Sequence, residues 1–341
     1  MDRARDLVTR GLNALWYGGN RLYWLLWPLA RVFGALVSIR RFAYRRGWLR
    51  AFDVGVPVIV VGNLTAGGTG KTPLVIWLAG RLRERGFRVG IVCRGYGGAA
   101  KKWPQPVATF SDEALVGDEA RLLALRAGCP VVAGPDRVAA ARMLQKPGPL
   151  DVILADDGLQ HYRLGRAVEI AVVDGARGLG NGLCLPAGPL REPASRLREV
   201  DVVVANQGDF GHAGVLKAHM RAVRVCELGT GRERTLADFA GETVHAVAAI
   251  GNPGRFFDWL EEQRLIVEPH ALADHAVIDA GMLDFGDGLP VLITEKDAVK
   301  CERLETSNVW CVVTELEFAP GDGERLERTV LRLLERRDAA A

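Results

Sequence analysis

The sequence predicts an α/β protein: a doubly wound, mainly parallel P-loop sheet with a second, smaller α/β domain on a two-strand linker and an N-terminal interfacial helical segment. Three observations carry this. Short β-branched runs alternate with helical spacings up to about residue 210. A glycine-rich turn ending in Gly-Lys-Thr separates an early apolar run from a helix. The first 50 residues differ in charge and aromatic content from everything after them. The expected boundaries are 1–50 for the interfacial segment, 51–218 for the P-loop domain, 219–232 and 308–318 for the linker strands, 233–307 for the small domain, and 319–341 for a helix returning to the P-loop domain.

A chain of 341 residues has room for about two domains, and 49% hydrophobic against 25% charged residues is an ordinary globular balance. Collagenous and wholly disordered readings are excluded. The six cysteines show no CxxC spacing, which argues against a zinc site and against a disulfide framework, and points to a reducing compartment.

The net charge of +3 conceals an asymmetry. Residues 1–50 hold ten arginines against two acids, so the rest of the chain is net acidic. The same segment holds Trp16, Trp24, Trp27 and Trp48, with Tyr17, Tyr23 and Tyr44 between the arginines. Aromatic rings at headgroup level and arginines against anionic lipid mark a membrane interface. Residues 22–39 are nearly all apolar, yet Pro28 and Arg31 interrupt a clean span, and the basic text that follows does not fit a signal-peptide cleavage site. The expectation is one or two helices lying in the interface on the cytoplasmic side. Packing of the helix on the protein's own core is the alternative; a nucleic-acid arm is disfavoured because no other basic stripe supports it.

Residues 56–64 read as a strand buried on both faces, and residues 73–86 as a helix with a glycine stop. Between them stand Thr65, Ala66, Gly67, Gly68, Thr69, Gly70, Lys71 and Thr72. Glycines let backbone amides point at phosphate oxygens, Lys71 reaches the outer phosphates, and the Thr72 hydroxyl can hold Mg²⁺. The strict pattern begins with glycine where this chain has Thr65.

A strand over residues 88–98 ends in a glycine turn carrying Arg94, at the sheet edge where the P-loop opens. A helix beginning at 117 carries Asp118 and Glu119 at its start, where acids are usually capping groups. Residues 151–158 form an apolar run ending in Asp156 and Asp157, either of which suits the strand-tip carboxylate that anchors Mg²⁺. Gln160 and His161 follow. Strands over 168–175 and 200–209 continue the sheet, and the loop between them carries Arg191 and Glu192. In the second unit, 220–229 and 308–318 read as strands, 244–263 as strand, glycine turn and helix, and 289–304 as a strand running into a helix. Asp274-His275 and residues 294–297 occupy loops that can face an interlobe cleft.

Eight motifs in order, VGNLTAGGTGKTP, RGYGG, GDEA, DDGLQHYRL, LPAGPLREP, IGNPGRFF, ADH and TEKDAVKC, resemble the tetraacyldisaccharide 4′-kinase (lipid A 4′-kinase) family over about residues 10–302. The resemblance implies transfer of the γ-phosphoryl group of ATP to the 4′-hydroxyl of a tetraacylated glucosamine disaccharide 1-phosphate, giving lipid IVA. It implies a monotopic enzyme at the cytoplasmic face of a bacterial inner membrane, with that lipid surface and the acylated disaccharide as partners and no nucleic acid or obligate protein partner. Carried over by motif, Asp118 and His275 pair to take the hydroxyl proton when the lobes close. Thr72, Glu119 and Asp157 organise Mg²⁺, Lys71 holds the phosphates, and Arg94, Asp156, Gln160 and Glu192 support substrate, nucleotide or metal. GDEA and ADHA both end in alanine, so support for Asp118 and His275 comes from elsewhere in the fold.

Three other readings compete. A P-loop enzyme acting on a different membrane sugar shares every nucleotide motif. A membrane GTPase switch would need a guanine-reading NKxD, and residues 206–209 are NQGD. A metallochaperone or partitioning ATPase would turn over ATP without a phosphorylated product.

Overall fold

In the computed structural model, which describes residues 11–19, 21–302, 304 and 306–338, the sheet is built outward from β1 (Val58–Gly62), all five of whose residues are buried. Strand β1 lies parallel between β5 (Val152–Asp156) and β6 (Val168–Asp174). Beyond β5 come β2 (Val89–Cys93), β4 (Val131–Ala133) and, antiparallel at the edge, β3 (Gln105–Val107). Beyond β6 comes β7 (Val202–Asn206). Parallel strands of this kind end on one edge, and that edge carries the P-loop, Arg94, Asp156, Asp157 and Asn206.

Helix α2 (Lys71–Glu84) buries Leu74, Val75, Leu78, Ala79 and Leu82, the 3–4 spacing of a helix lying on a sheet. It starts two residues before the expected Pro73, because Gly70 caps it from the left-handed region at φ +89°. Helices α3 (Glu113–Val116), α4 (Asp118–Arg126) and α5 (Arg137–Leu144) follow on this half.

The strands expected as a linker are β8 (Leu216–Glu227) and β13 (Val309–Phe318). They pair antiparallel with each other, β8 also pairs with β7, and β13 with β12 (Val291–Thr294). Strand β10 (Thr243–Ala248) and edge strand β11 (Ile266–Ala271) complete the row, with β9 (Glu233–Arg234) on β8. The two halves thus share one thirteen-stranded sheet. Leu216, Ala218 and Leu316 pack with the P-loop half, whereas Val225, Trp310 and Val312 pack with the other, so both long strands serve both cores.

Helices α6 (Pro253–Glu262) and α7 (Glu295–Cys301) cover the smaller half. Helix α8 (Asp322–Asp338) lays Leu326, Val330 and Leu334 into the core beside α2, and buried Glu327 pairs with Arg81 and Arg85. The last three residues of the expected terminal helix, and the first ten of the expected interfacial segment, lie outside the described residues.

Near the start of the chain, helix α1 (Tyr23–Arg45) runs through Pro28, preceded by a helical stretch over 11–17 that Trp16 ties to Pro186 O by a 3.0 Å hydrogen bond. Ala30 and Gly34, one turn apart, are the buried residues of α1, and a Cβ on Gly34 would stand 3.2 Å from Cys184 Sγ. On the opposite face Leu25, Leu29, Val32, Leu36 and Ile39 recur at steps of four and three, each at least 59% exposed. Among the described residues no helix is long and apolar enough to cross a membrane.

Candidate active site

The P-loop is shaped by buried amides. Asn63 donates to Gly67 O at 3.2 Å and Asn206 to Thr69 O at 3.1 Å, while the Ala66 amide bonds Pro189 O and Arg177 reaches Gly68 O. A Cβ on Gly70 would lie 2.1 Å from Asn206 Nδ2, so sterics and φ both require glycine there. Gly67, at φ +102°, supplies the second left-handed turn, and Thr65, standing where the strict motif has glycine, is buried and bridges to Leu190. Asn206, which the switch reading would assign to guanine, is committed to the P-loop backbone.

The two strand-tip aspartates part company. Asp156 ends β5 with its side chain buried; Oδ2 accepts from the Thr72 hydroxyl at 3.0 Å and Oδ1 has no partner. Burial, then the charge of Glu119, pushes its carboxyl up to about 7. Asp157 adopts φ +50° and turns instead to Lys71, at 3.5 Å, and to Arg191, at 3.1 and 3.2 Å. Burial alone would raise the Asp157 carboxyl, but Lys71 and Arg191 outweigh it and hold it at about 2. Buried Arg137, at the start of α5, donates to the backbone oxygens of Gly134 and Asp156 and holds this strand end.

Across the sheet edge, Asp118 at the start of α4 meets His275 from the loop after β11. His275 Nδ1 lies 2.9 Å from Asp118 Oδ2 and 3.1 Å from Oδ1. Asp118 is therefore more than a helix cap, although its Oδ1 also accepts the Glu119 amide at 2.8 Å. Burial alone would raise the Asp118 carboxyl; the His275 hydrogen bond and the ammonium of Lys296 reverse this and hold it below its usual range. His275 sits at φ +61°, a costly backbone state for a residue with a Cβ, fixed by its amide bonding Ala249 O at 3.1 Å. Lys296, at the start of α7, places Nζ 3.4 Å from His275 Nε2, Glu119 and Asp274 alike. Tyr96 packs its ring on His275 at 4.9 Å, and exposed Arg94 lies over the other side of this turn, 5.9 Å from the Tyr96 ring.

Glu192 and Gln160 are arranged differently. Glu192 is wholly buried and accepts from Gln160 Nε2 at 2.9 Å and Tyr162 OH at 2.5 Å, with Arg196 at 3.5 Å. Gln160 also donates to Asn63 O at 3.1 Å. The pair thus braces the P-loop from beneath, through Asn63.

Between the halves opens a cleft of about 670 Å³, lined by Gly68–Pro73, Glu119 and Arg126 on one wall and by Ile250–Asn252, Arg255 and Lys296 on the other. Arg255 to Asp174 at 2.8 Å, Arg121 to Glu302 and Arg126 to Glu295 join the two halves. The volume suits a nucleotide whose phosphates lie on the P-loop.

Comparisons with known proteins agree on this architecture. The family model for LpxK, tetraacyldisaccharide-1-P 4′-kinase, matches residues 22–335. The chain belongs to the tetraacyldisaccharide 4′-kinase family. It is 52% identical over 314 residues to the tetraacyldisaccharide 4′-kinase of Alkalilimnicola ehrlichii, covering 90% of this chain and 92% of that one. With the enzyme of the same name from Nitrosococcus oceani it shares 50% over 311 residues, covering 91% of each. The crystal structure of apo-form LpxK from Aquifex aeolicus in complex with ATP superposes at a TM-score of 0.77, with 27% identity, over 92% of this chain and 99% of that chain. For this 4′-kinase fold, sequence reading did not anticipate Asn63, Arg137 or the P-loop role of Asn206, which are buried and whose signals are single residues flanking strands.

Proposed function

We propose that this chain phosphorylates the 4′-hydroxyl of a tetraacylated glucosamine disaccharide 1-phosphate with the γ-phosphoryl group of ATP, giving lipid IVA in lipid A biosynthesis. The observation that carries the reading is the Asp118–His275 pair, made by residues from both halves beside Glu119 and Lys296, which line the cleft that the P-loop opens into. Amides of Gly67–Thr72 cradle the phosphates, and Lys71, held at the loop mouth by Asp157, reaches their outer oxygens. Asp118, kept ionised, orients His275 through Nδ1, and the coupled pair accepts the 4′-hydroxyl proton as the sugar oxygen bonds to the γ-phosphorus and the bridging oxygen leaves with ADP. Lys296 lies beside His275 and stabilises the carboxylates of Asp118 and Glu119.

The donor set fits Mg²⁺. Asp156 carries an orphaned buried oxygen, holds the Thr72 hydroxyl and feels the charge of Glu119, three features that a divalent cation among oxygen ligands relieves. Thr72, Asp156 and Glu119 would hold it, and it would neutralise charge on the β- and γ-phosphate oxygens. Asp156 would then be the metal carboxylate in place of the expected Asp157, which serves Lys71 and Arg191.

The exposed apolar stripe of α1, continued by Trp24 and Trp27, fits attachment to the cytoplasmic face of the inner membrane without spanning it. A substrate with its acyl chains in lipid is then met at headgroup level. The deciding experiment follows labelled γ-phosphate from ATP into a detergent-dispersed tetraacyl disaccharide 1-phosphate. Labelled lipid lost in both Lys71→Ala and Asp118→Ala is expected; free phosphate alone would overturn the acceptor assignment.

A further inference from the structure

The smaller half carries a second cluster that the kinase reaction does not use. Strands β10 and β11 run parallel with His245 opposite Glu268 and Val247 opposite His270. Residues two apart on a strand share a face, so His245, Glu268 and His270 emerge together. His245 Nδ1 lies 3.0 Å from His270 Nε2 and 3.2 Å from Glu268 Oε2. The other ring nitrogen of His245, Nε2, lies 2.9 Å from Asp287 Oδ2. Phe285 stacks on both imidazoles, at 3.9 and 4.3 Å between ring centres.

From this geometry we propose that His245, Glu268 and His270 form a binding site for a divalent transition-metal ion of the zinc class. With His245 neutral, protons alone serve the cluster poorly, and a metal ion competes with the imidazolium that Asp287 and Glu268 would otherwise pair. Asp287 draws the proton of His245 to Nε2, which leaves the Nδ1 lone pair facing both a carboxylate oxygen and a second imidazole nitrogen. His270 can donate to that lone pair, but the Glu268 oxygen then faces it without a hydrogen between them. A cation at the centre satisfies all three atoms. In a tetrahedral zinc site with bonds of 2.0–2.1 Å, ligand atoms stand about 3.3 Å apart, close to the 3.0 and 3.2 Å from His245 Nδ1 to its two neighbours. The Asp287–His245 contact is the outer carboxylate that fixes the tautomer of a metal-bound histidine. Two imidazoles and one carboxylate favour zinc, nickel or cobalt over magnesium. Glu268 is half-exposed, which gives an ion a path in and leaves the fourth position to water. The cysteine spacing that argues against a zinc site is not at issue, since no cysteine takes part.

An ion here ties edge strand β11 to β10 and to the turn at 284–288. Strand β11 leads directly into the loop of Asp274 and His275, whose backbone is pinned to Ala248 and Ala249. The site therefore stiffens the strand from which the active-site histidine hangs.

The test uses the full chain in detergent, stripped with chelator and returned to buffer with excess MgCl₂ to fill oxygen-ligand sites. ZnCl₂ is titrated calorimetrically, and CoCl₂ is followed by visible absorption. One equivalent is expected, with four-coordinate cobalt bands free of thiolate charge transfer and a raised Tm. His270→Ala and Glu268→Gln alter partly exposed side chains, keep the fold and remove that equivalent. Asp287→Asn weakens it about 10–100-fold. The proposal is overturned if wild type binds zinc no more tightly than the His270→Ala/Glu268→Gln double variant, or if thiolate bands accompany an equivalent that survives His270→Ala.

Discussion

His275 Nδ1 approaches Asp118 Oδ2 to 2.9 Å across 157 positions of sequence, joining the loop after β11 to the first turn of α4. On the proposed mechanism, removing either partner leaves the hydroxyl proton without its acceptor while the P-loop stays whole. Asp118→Asn and His275→Ala are each expected to lower kcat by about 10²–10⁴-fold with the KM for ATP nearly unchanged. Because the two act as one unit, the double variant should be little worse than the weaker single one. Steady-state kinetics on the three variants decide it, and additive losses would separate the pair.

Asp156 and Asp157 are adjacent yet face different partners, so their amide variants should fail differently. Asp156→Asn removes the oxygen beside Thr72 and is expected to raise the Mg²⁺ concentration for half-maximal activity by tenfold or more. Asp157→Asn frees Lys71 and Arg191 and should change the KM for ATP while leaving the Mg²⁺ requirement close to wild type. Magnesium titrations at saturating ATP distinguish the two. A Mg²⁺ defect confined to Asp157→Asn would return the metal to that residue.

At Gly70 any side chain meets the Asn206 amide, and the backbone is left-handed as well. Gly70→Ala should lose ATP binding, measured with a fluorescent analogue, and cost about 1–3 kcal/mol in unfolding free energy. Asn206→Ala opens the space but abandons Thr69 O, for a cost of about 1–2 kcal/mol. If Gly70→Ala bound ATP normally, the loop would have to be more pliant than its contacts imply.

Local chemistry explains what could be read from sequence. The run of β1, the P-loop and α2 is legible because strand, turn and helix signals are contiguous. Strands β3 and β4 have three residues each, too few for a period to register, and β11, IVEPHA, contains a proline and is mostly exposed. The identity of the Thr72 partner was open because Asp156 and Asp157 both follow β5, and the deciding variable is the backbone turn at Asp157. Glu192 reads as a site residue from its motif, yet its oxygens are occupied by Gln160 and Tyr162. The long β8 and β13 strands were visible, but their pairing into one sheet with both halves depends on contacts distant in sequence.

Arg88 donates to Asp151 through its backbone amide at 2.7 Å and its guanidinium at 2.9 Å, clamping the start of β2 to that of β5. The Arg88 side-chain hydrogen bond, then its amide, holds the Asp151 carboxyl at about 2. A depressed carboxyl stabilises the fold above its unfolded value, near 4, and loses that contribution as pH falls toward 2. Asp151→Asn should therefore have a lower Tm than wild type at pH 7, with the gap closing between pH 4 and pH 2. Thermal unfolding across that range checks it, and a gap independent of pH would assign the loss to packing.

On the proposed function, the stripe on α1 allows membrane attachment to be tested apart from chemistry. Leu25, Leu29, Val32, Leu36 and Ile39 are solvent-exposed at heptad-like spacing, while Ala30 and Gly34 hold the helix to the protein. Burying each large aliphatic side chain in lipid is worth about 1.5–3 kcal/mol, or tenfold and more in partitioning. Leu29→Ser/Leu36→Ser is thus expected to lose co-sedimentation with anionic vesicles by about a hundredfold or more, while the kinase rate on detergent-dispersed acceptor persists. Exposed Arg40, Arg46 and Arg50 extend the same end of the helix, so wild-type binding should also weaken as salt rises. Vesicle binding that survives the double serine variant at high salt would show that α1 packs against something other than lipid.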